Sequence, residues 1–336
     1  MGFSQKIKMV DGVLPSKFHC QPDRCKRICD PGTCRSAFAK QQRIYLIEQC
    51  EAEIFQPAGT EDKSHEGKME DIITGHLEVC IDSLESAVNA INGGASELEV
   101  CSSLAEGGLT PSPGLVLEIL NIVSEVNKIR TSRKNCEETK DGGNENILKV
   151  NIMIRCRGGS DFNYSESEMA TMLADVRHYK EMSVDSFVFG ALNETRGIDK
   201  ENCSRIIAEA HPIPVTFHRA FDLCSEPINV AIKEIIRLGF KRLLTSGQKQ
   251  TVADEDALKL INHLQFKYGD EIEIMPGSGV TIDNVKKFID MGCKFVHSSC
   301  KVVNKFDELE NDLGMGSGKR YVTSEDVVRS MVQIIS

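Results

Sequence analysis

The chain has 336 residues and a formal charge of −10, which argues against a general nucleic-acid-binding protein because such proteins need a basic face. Its N-terminus lacks the apolar core of a signal peptide, and no run of 18 apolar residues suggests a membrane span. The 13 cysteines are odd in number and no export signal accompanies them. We therefore expect a cytoplasmic protein with reduced thiols.

Residues 1–75 differ from the rest of the chain in being polar and without a long hydrophobic period. They contain the pattern Cys20-x4-Cys25-x3-Cys29-x4-Cys34. This spacing lacks the C-x2-C pairs that are typical of zinc knuckles and ribbons. We interpret the segment as a flexible, cysteine-containing extension that holds soft metal ions only loosely.

From His76 onward, short apolar segments alternate with helix-length amphipathic ones. The strand candidates cover residues 76–81, 96–101, 148–155, 185–190, 213–219, 241–246, 271–277 and 294–299. Thr110 before Pro111 predicts one helix start, and the capping-box spacing of Ser165 and Glu168 predicts another. Long loops are expected at 130–146 and 300–322.

Eight strand–helix pairs in this length predict a TIM (β/α)8 barrel over residues 76–336. The alternative is a doubly wound open sheet, which also alternates strands and helices. No G-x-G-x-x-G motif follows the first strand, as a dinucleotide-binding sheet of that kind would require.

The tetrapeptide Leu-Glu-Val-Cys occurs in both of the first two strands, at 77–80 and 98–101. Side chains alternate between the two faces of a strand, so the apolar pair faces the helices and the polar pair faces the barrel interior. Glu78 and Cys80 are therefore predicted to point inward, as are Glu99 and Cys101. The cysteines come last in each strand, at the C-terminal rim where TIM-barrel sites lie.

The same alternation predicts that Arg155, His218 and His297 point inward from later strands. Polar groups in a barrel core are costly unless they are paired or serve a site. One interpretation is a paired network in which Glu78 or Glu99 binds Arg155. The other is that these inward polar residues together form a functional site.

Long stretches of the chain resemble the CutC family. They include "EVCIDSLESAVNAINGGASELEVCSSLAEGGLTPSPGLV", "MIRCRGGSDFNYSESE", "PVTFHRAFD", "RLLTSGQ", "IMPGSGVT" and "VHSS", all in order between about 77 and 300. The resemblance implies a TIM barrel, a cytoplasmic role in copper homeostasis, and a dimer or tetramer. It also implies that Cys80 and Cys101 bind Cu(I). The chain departs from the usual family pattern at Cys156, Ser278 and Cys300.

Strand geometry is compatible with such a copper site. Neighbouring strands lie about 4.8 Å apart, and two metal–thiolate bonds of about 2.3 Å span a similar length. Soft thiolates at low coordination number favour Cu(I) over hard cations. Two reduced thiols that bind no metal, or a disulfide, are the alternatives.

A TIM-barrel enzyme is the alternative function. Loops after strands seven and eight often bind phosphate, and the residues suited to that role here are Gly277, Gly279, Ser298 and Ser299. Arg157, with Arg155, would hold a second anionic group. The candidate catalytic residues are Glu78, Glu99, Arg155, His218 and His297. Such an enzyme would be a lyase, isomerase or hydrolase acting on a small anionic or phosphorylated compound.

The motif "HRAFD" at 218–222 permits two local arrangements. His218 and Asp222 could orient one another as acid–base partners. Alternatively, Arg219 and Asp222 form a salt bridge that closes the loop.

Overall fold

The computed structural model describes residues 74–134, 147–305 and 319–336. Its strands are β1 His76–Ile81, β2 Glu97–Val100, β3 Lys149–Met153, β4 Ser186–Phe189, β5 Val215–Phe217, β6 Arg242–Thr245, β7 Glu273–Pro276, β8 Phe295–Ser298, β9 Lys301–Lys305 and β10 Lys319–Thr323. Its helices are α1 Leu84–Asn92, α2 Pro113–Lys134, α3 Glu166–Glu181, α4 Lys200–Ala210, α5 Ile228–Leu238, α6 Glu255–Tyr268, α7 Val285–Asp290 and α8 Glu325–Ile335. The extension predicted for 1–75, with its four spaced cysteines, lies outside the described residues except for its last two positions.

The first eight strands form one parallel sheet in the order β7-β6-β5-β4-β3-β2-β1-β8. Strands β7 and β8 lie side by side and bring the sheet close to a full ring. This architecture confirms the predicted TIM-like barrel and excludes the open doubly wound sheet. None of the described helices is both long enough and apolar enough to cross a membrane.

The segment predicted as a loop at 300–322 instead contains an antiparallel hairpin of β9 and β10. The prediction missed it because "KVVNK" and "KRYVT" are short strands in which charged residues surround the apolar ones. Val303 pairs with Tyr321, and both are about half exposed. The predicted loop at 130–146 also begins later, since α2 continues to Lys134.

Two predicted helix starts had different outcomes. Ser165 and Glu168 form the predicted capping box at the start of α3. However, α2 begins at Pro113, where the Ser112 hydroxyl accepts a hydrogen bond from the Leu115 N–H at 3.3 Å. Thr110 does not cap the helix, because its hydroxyl accepts a hydrogen bond from the Arg155 N–H at 2.9 Å.

The apolar side chains of the strands pack outward against the helices, and Leu77, Val79, Leu98 and Val100 are fully buried there. Full burial of each such side chain contributes roughly 1.5–3 kcal/mol. The opposite faces of β1 and β2 carry the acidic residues predicted to point inward. Glu78 and Glu99 are indeed buried, with 0% and 3% of their surfaces exposed.

A buried ion network occupies the end of the barrel where the strands begin. Arg242 donates to Glu97 at 2.7 and 3.3 Å and to Glu273 at 2.9 Å. The Asn151 amide donates to Glu78 at 2.6 Å and to Glu97 at 2.8 Å. The sequence interpretation, which paired Glu78 or Glu99 with Arg155, named the wrong arginine.

Candidate functional site

A cavity of about 1150 Å³ opens at the end of the barrel where the strands finish. Its wall brings together eight of the twelve predicted site residues, namely Cys80, Glu99, Arg155, His218, Gly279, His297, Ser298 and Ser299. Glu78 lies beneath this wall, fully buried. Cavities at this face hold the active or binding sites of TIM barrels.

Three side chains in the wall converge as potential metal ligands. One ligand atom each from Cys80, Glu99 and His297 lies within 4.8 Å of the other two. The strand register explains the convergence, because Cys80 pairs with Glu99 on β2 and the preceding inward residue, Glu78, pairs with His297 on β8. The cluster offers sulfur, nitrogen and oxygen donors in one place.

A hydrogen bond to Glu78 orients the His297 ring. Nδ1 of His297 lies 2.7 Å from Glu78 Oε1, and Nε2 lies 3.8 Å from Glu99 Oε2. A carboxylate that holds one ring nitrogen while the other faces a metal is the usual support of a metal-binding histidine. Burial disfavours the charged ring, but Cys80 and the two carboxylates outweigh that effect and raise the pKa of His297 well above its ordinary value.

Glu99 is the most unusual carboxylate of the site. Burial, reinforced by the charge of Glu78, raises its pKa to about 7, although His297 acts in the opposite direction. Its Oε1 atom is buried and has no hydrogen-bond partner among the residues that the structure describes. Buried acceptors are rarely left in this state, so a hydrogen-bond donor or a cation beside Oε1 would remove the deficit.

Cys101 directly follows β2. It is the next inward residue after Glu99, which lies opposite Cys80. Its Sγ donates to Glu99 Oε2 at 3.5 Å, and its side chain packs with Met153 and Val188. It is not one of the three residues whose ligand atoms converge. Burial, together with Glu99, raises the pKa of the Cys101 thiol well above its ordinary value.

Other sulfur atoms surround the same cavity. Met153, Cys300 and Met331 line it, and Cys300 Sγ lies 3.5 Å from Met331 Sδ. Sequence analysis did not assign a role to Met331, because it lies on α8 and no local motif links it to the strand ends.

Arg155 and His218 lie in another part of the wall. The guanidinium of Arg155 donates to the backbone oxygens of Glu106, Gly108 and Gly159 at 2.7, 2.9 and 2.6 Å. His218 accepts a hydrogen bond at Nδ1 from the Ala220 N–H at 3.2 Å. Burial, aided by the positive charge of Arg155, lowers the pKa of His218 to about 3.

The "HRAFD" motif adopts the salt-bridge arrangement. Arg219 Nε donates to Asp222 at 2.9 Å. Asp222 also accepts hydrogen bonds from the Thr245 hydroxyl at 2.5 Å and from the Ser246 and Gln248 N–H groups. Asp222 therefore links the loop that follows β5 to the loop that follows β6. Nδ1 of His218 instead accepts a hydrogen bond from the backbone N–H of Ala220.

The residues predicted to bind an anion are partly engaged elsewhere. The Gly277 N–H donates to Thr245 O at 2.9 Å, and the Ser298 hydroxyl donates to Val280 O at 3.0 Å. Arg157 donates to Asp161 at 2.8 Å and also binds Glu168. Gly279, Ser298 and Ser299 do line the cavity, but the helix that follows Gly279 begins only at Val285. The phosphate site stays a prediction.

Comparisons with a family profile, with known sequences and with solved structures each return CutC proteins. A sequence profile of the CutC family matches residues 75–135 and 136–302. The human copper homeostasis protein cutC homolog is 41% identical over 226 residues, which cover 67% of this chain and 73% of that protein. The Drosophila melanogaster copper homeostasis protein cutC homolog is 36% identical over 270 residues, covering 77% of this chain and 93% of that protein. A crystal structure of the CutC protein from Streptococcus agalactiae matches with a TM-score of 0.55 and 28% identity, covering 67% of this chain and 98% of that one.

Proposed function

Because this chain belongs to the CutC family, a family of copper homeostasis proteins, we propose that it binds Cu(I) at the barrel mouth. Cys80 and Cys101 supply the thiolates, and His297 Nε2 is the third ligand. The observation that carries the proposal is that Cys80 and His297 converge within 4.8 Å beside Glu99, whose Oε2 lies 3.5 Å from Cys101 Sγ. Thiolate and imidazole are ligands that suit this soft ion.

Glu99 has a distinct role in this proposal, since a hard carboxylate is a poor ligand for Cu(I). Its Oε2 lies 3.5 Å from Cys101 Sγ, so it is placed to accept the proton that this thiol must lose on binding the metal. A carboxyl whose pKa is raised to about 7 can hold that proton at neutral pH. Cys80 also binds as a thiolate, and the proton of His297 Nε2 leaves for solvent.

The proposal is tested by Cu(I) titration against a chromogenic Cu(I) chelator without oxygen. The titration uses a background variant in which serine replaces the five cysteines of the N-terminal region, so that their thiols do not compete for Cu(I). These are Cys20, Cys25, Cys29, Cys34 and Cys50. We expect one Cu(I) per chain, and a loss of at least tenfold in affinity for Cys80→Ser, Cys101→Ser and His297→Gln. Replacing both cysteines should be little worse than replacing either one, because they act as a unit.

Cys203→Ser is the matched control. Cys203 is also a fully buried thiol, but it lies on α4 and does not line the cavity. Its replacement should leave Cu(I) affinity unchanged. Full affinity after loss of both Cys80 and Cys101 would contradict the proposal, as would tighter binding of Zn²⁺ than of Cu(I) by the unaltered site.

A further inference from the structure

Two N–H donors in the cavity wall are buried and have no acceptor in the described part of the chain. They are Nε2 of His218 and Nε of Arg155, and both atoms are buried without a hydrogen-bond partner among the described residues. The side chains themselves are 3% and 5% exposed. Leaving a buried donor unsatisfied costs about 1–3 kcal/mol, so two of them beside one cavity call for an explanation.

The hydrogen on His218 can be assigned from its contacts. Nδ1 accepts a hydrogen bond from the Ala220 N–H, and a ring whose pKa is lowered to about 3 is neutral at physiological pH. The remaining hydrogen must therefore lie on Nε2. The ring is held in a tight space, because a Cβ atom at Gly190 would come within 2.5 Å of Nδ1.

Arg155 adds a buried positive charge to this wall. Its guanidinium bonds only to backbone oxygens, and in the described part of the chain no carboxylate lies within 4.0 Å of it. A buried charge of this kind is expensive unless an opposite charge is supplied. The missing charge can come from a bound anion.

Phe162 lies close to both side chains. Its ring centroid lies 5.2 Å from Arg155 Cζ and 4.9 Å from the centroid of the His218 ring. Phe162 has a left-handed backbone with φ of 49°, an uncommon conformation for an aromatic residue. The ring can therefore pack against the carbon atoms of an anion that is held by both side chains.

We propose that the cavity binds a small organic carboxylate, with one oxygen accepting from His218 Nε2 and the other from Arg155 Nε. Two free donors match the two oxygens of a carboxylate, and one net positive charge matches its single negative charge. A phosphate dianion would need more donors and more positive charge than these two groups offer. This is the ligand-binding part of the enzyme interpretation, placed at Arg155 and His218, and it does not depend on copper.

The test uses the full-length, metal-free protein and pyruvate as the probe, with inorganic phosphate for comparison. Calorimetry measures affinity, and ¹⁵N–¹H spectra of the imidazoles follow the His218 Nε2 resonance. We expect pyruvate to bind with a millimolar or lower Kd and to shift that resonance, and phosphate to bind at least tenfold more weakly.

Two substitutions at one position separate recognition from folding. His218→Asn keeps an acceptor near the Nδ1 position for the Ala220 N–H but removes the Nε2 donor, so pyruvate affinity should fall at least tenfold. His218→Gln places an amide N–H near the Nε2 position and should retain most of the affinity. The spectra of the unaltered protein need no variant and remain informative if a variant does not fold.

Three results would overturn the inference. They are the absence of any shift of the Nε2 resonance at tens of millimolar pyruvate, equal pyruvate affinity of His218→Asn and the unaltered protein, and tighter binding of phosphate than of pyruvate. Since no copper is present in the titration, none of these results depends on whether Cys80 and Cys101 bind the metal.

Discussion

Replacing Arg242 with methionine should destabilise the barrel strongly, and more so at neutral than at acidic pH. The Arg242 side chain is 10% exposed and bonds Glu97, which is 3% exposed, through two nitrogens. Its Nη1 also lies 3.7 Å from a Glu78 oxygen. Methionine fills a similar volume, so the loss is mainly electrostatic.

The expected magnitude follows from what remains around Glu97 in Arg242→Met. The carboxylate keeps a hydrogen bond from Asn151 at 2.8 Å and a distant lysine, Lys149, at 3.7 Å. Removing one partner of a buried ion pair in this way costs about 3–5 kcal/mol. We expect a loss of that size in the free energy of unfolding at pH 7.

The pH dependence of this loss tests whether the unpaired charge of Glu97 causes it. In the unaltered protein burial raises the pKa of Glu97, but Arg242 and its hydrogen bonds outweigh burial and lower it overall. Without Arg242 the burial effect dominates, so the folded-state pKa of Glu97 rises above its unfolded value. Protonation then relieves the penalty as pH falls, and the difference between the two proteins should shrink at pH 5.

Urea unfolding at pH 7 and pH 5 measures both quantities. The chain has no tryptophan, so far-ultraviolet circular dichroism is the suitable signal. Adding Glu97→Gln to Arg242→Met should recover part of the loss, because the unpaired carboxylate is gone. A loss below about 1 kcal/mol, or an equal loss at both pH values, would refute this account of the network.

Two further predictions concern single groups. The folded-state pKa of His218 is lowered to about 3 from an ordinary value of 6.5, so this residue's contribution to stability is complete above pH 6.5 and is lost as pH falls toward 3. His218→Asn should flatten that slope in acid titrations by up to ~1.4 kcal/mol per pH unit, and an unchanged slope would show that His218 is not the group responsible. Ser165→Ala should lower the unfolding free energy by about 1 kcal/mol, since it removes the acceptor of the Glu168 N–H, and a neutral result in urea unfolding would contradict the capping role.

The fold could be predicted from the sequence because strand and helix periods alternate without interruption. The predicted first strand, 76–81, coincides with β1, and the predicted strand 294–299 contains β8. Alternation within strands also identified the buried faces of Glu78 and Glu99 correctly. The expected dimer or tetramer stays a prediction.

The height of each residue in the barrel could not be predicted in the same way. Alternation indicates which face a side chain lies on, but the stagger between neighbouring strands determines which side chains meet. The stagger places Cys80 beside Glu99 and moves Cys101 one inward position away. Arg242 was missed for a different reason. It begins the sixth strand, to which the alternation argument was not applied.

Glu78 links the two ends of the barrel interior. One of its oxygens accepts from Asn151 at 2.6 Å, within the Arg242 network, and the other lies 2.7 Å from His297 Nδ1 at the mouth. The fully buried carboxylate is thus shared between a structural ion network and a candidate metal ligand. A change of charge at either end therefore alters the electrostatic potential at the other end through this one side chain. The ion network at the start of the strands thus influences the charge of the residues at the barrel mouth. Substitutions remote from the cavity can therefore tune how readily His297 gives up its proton.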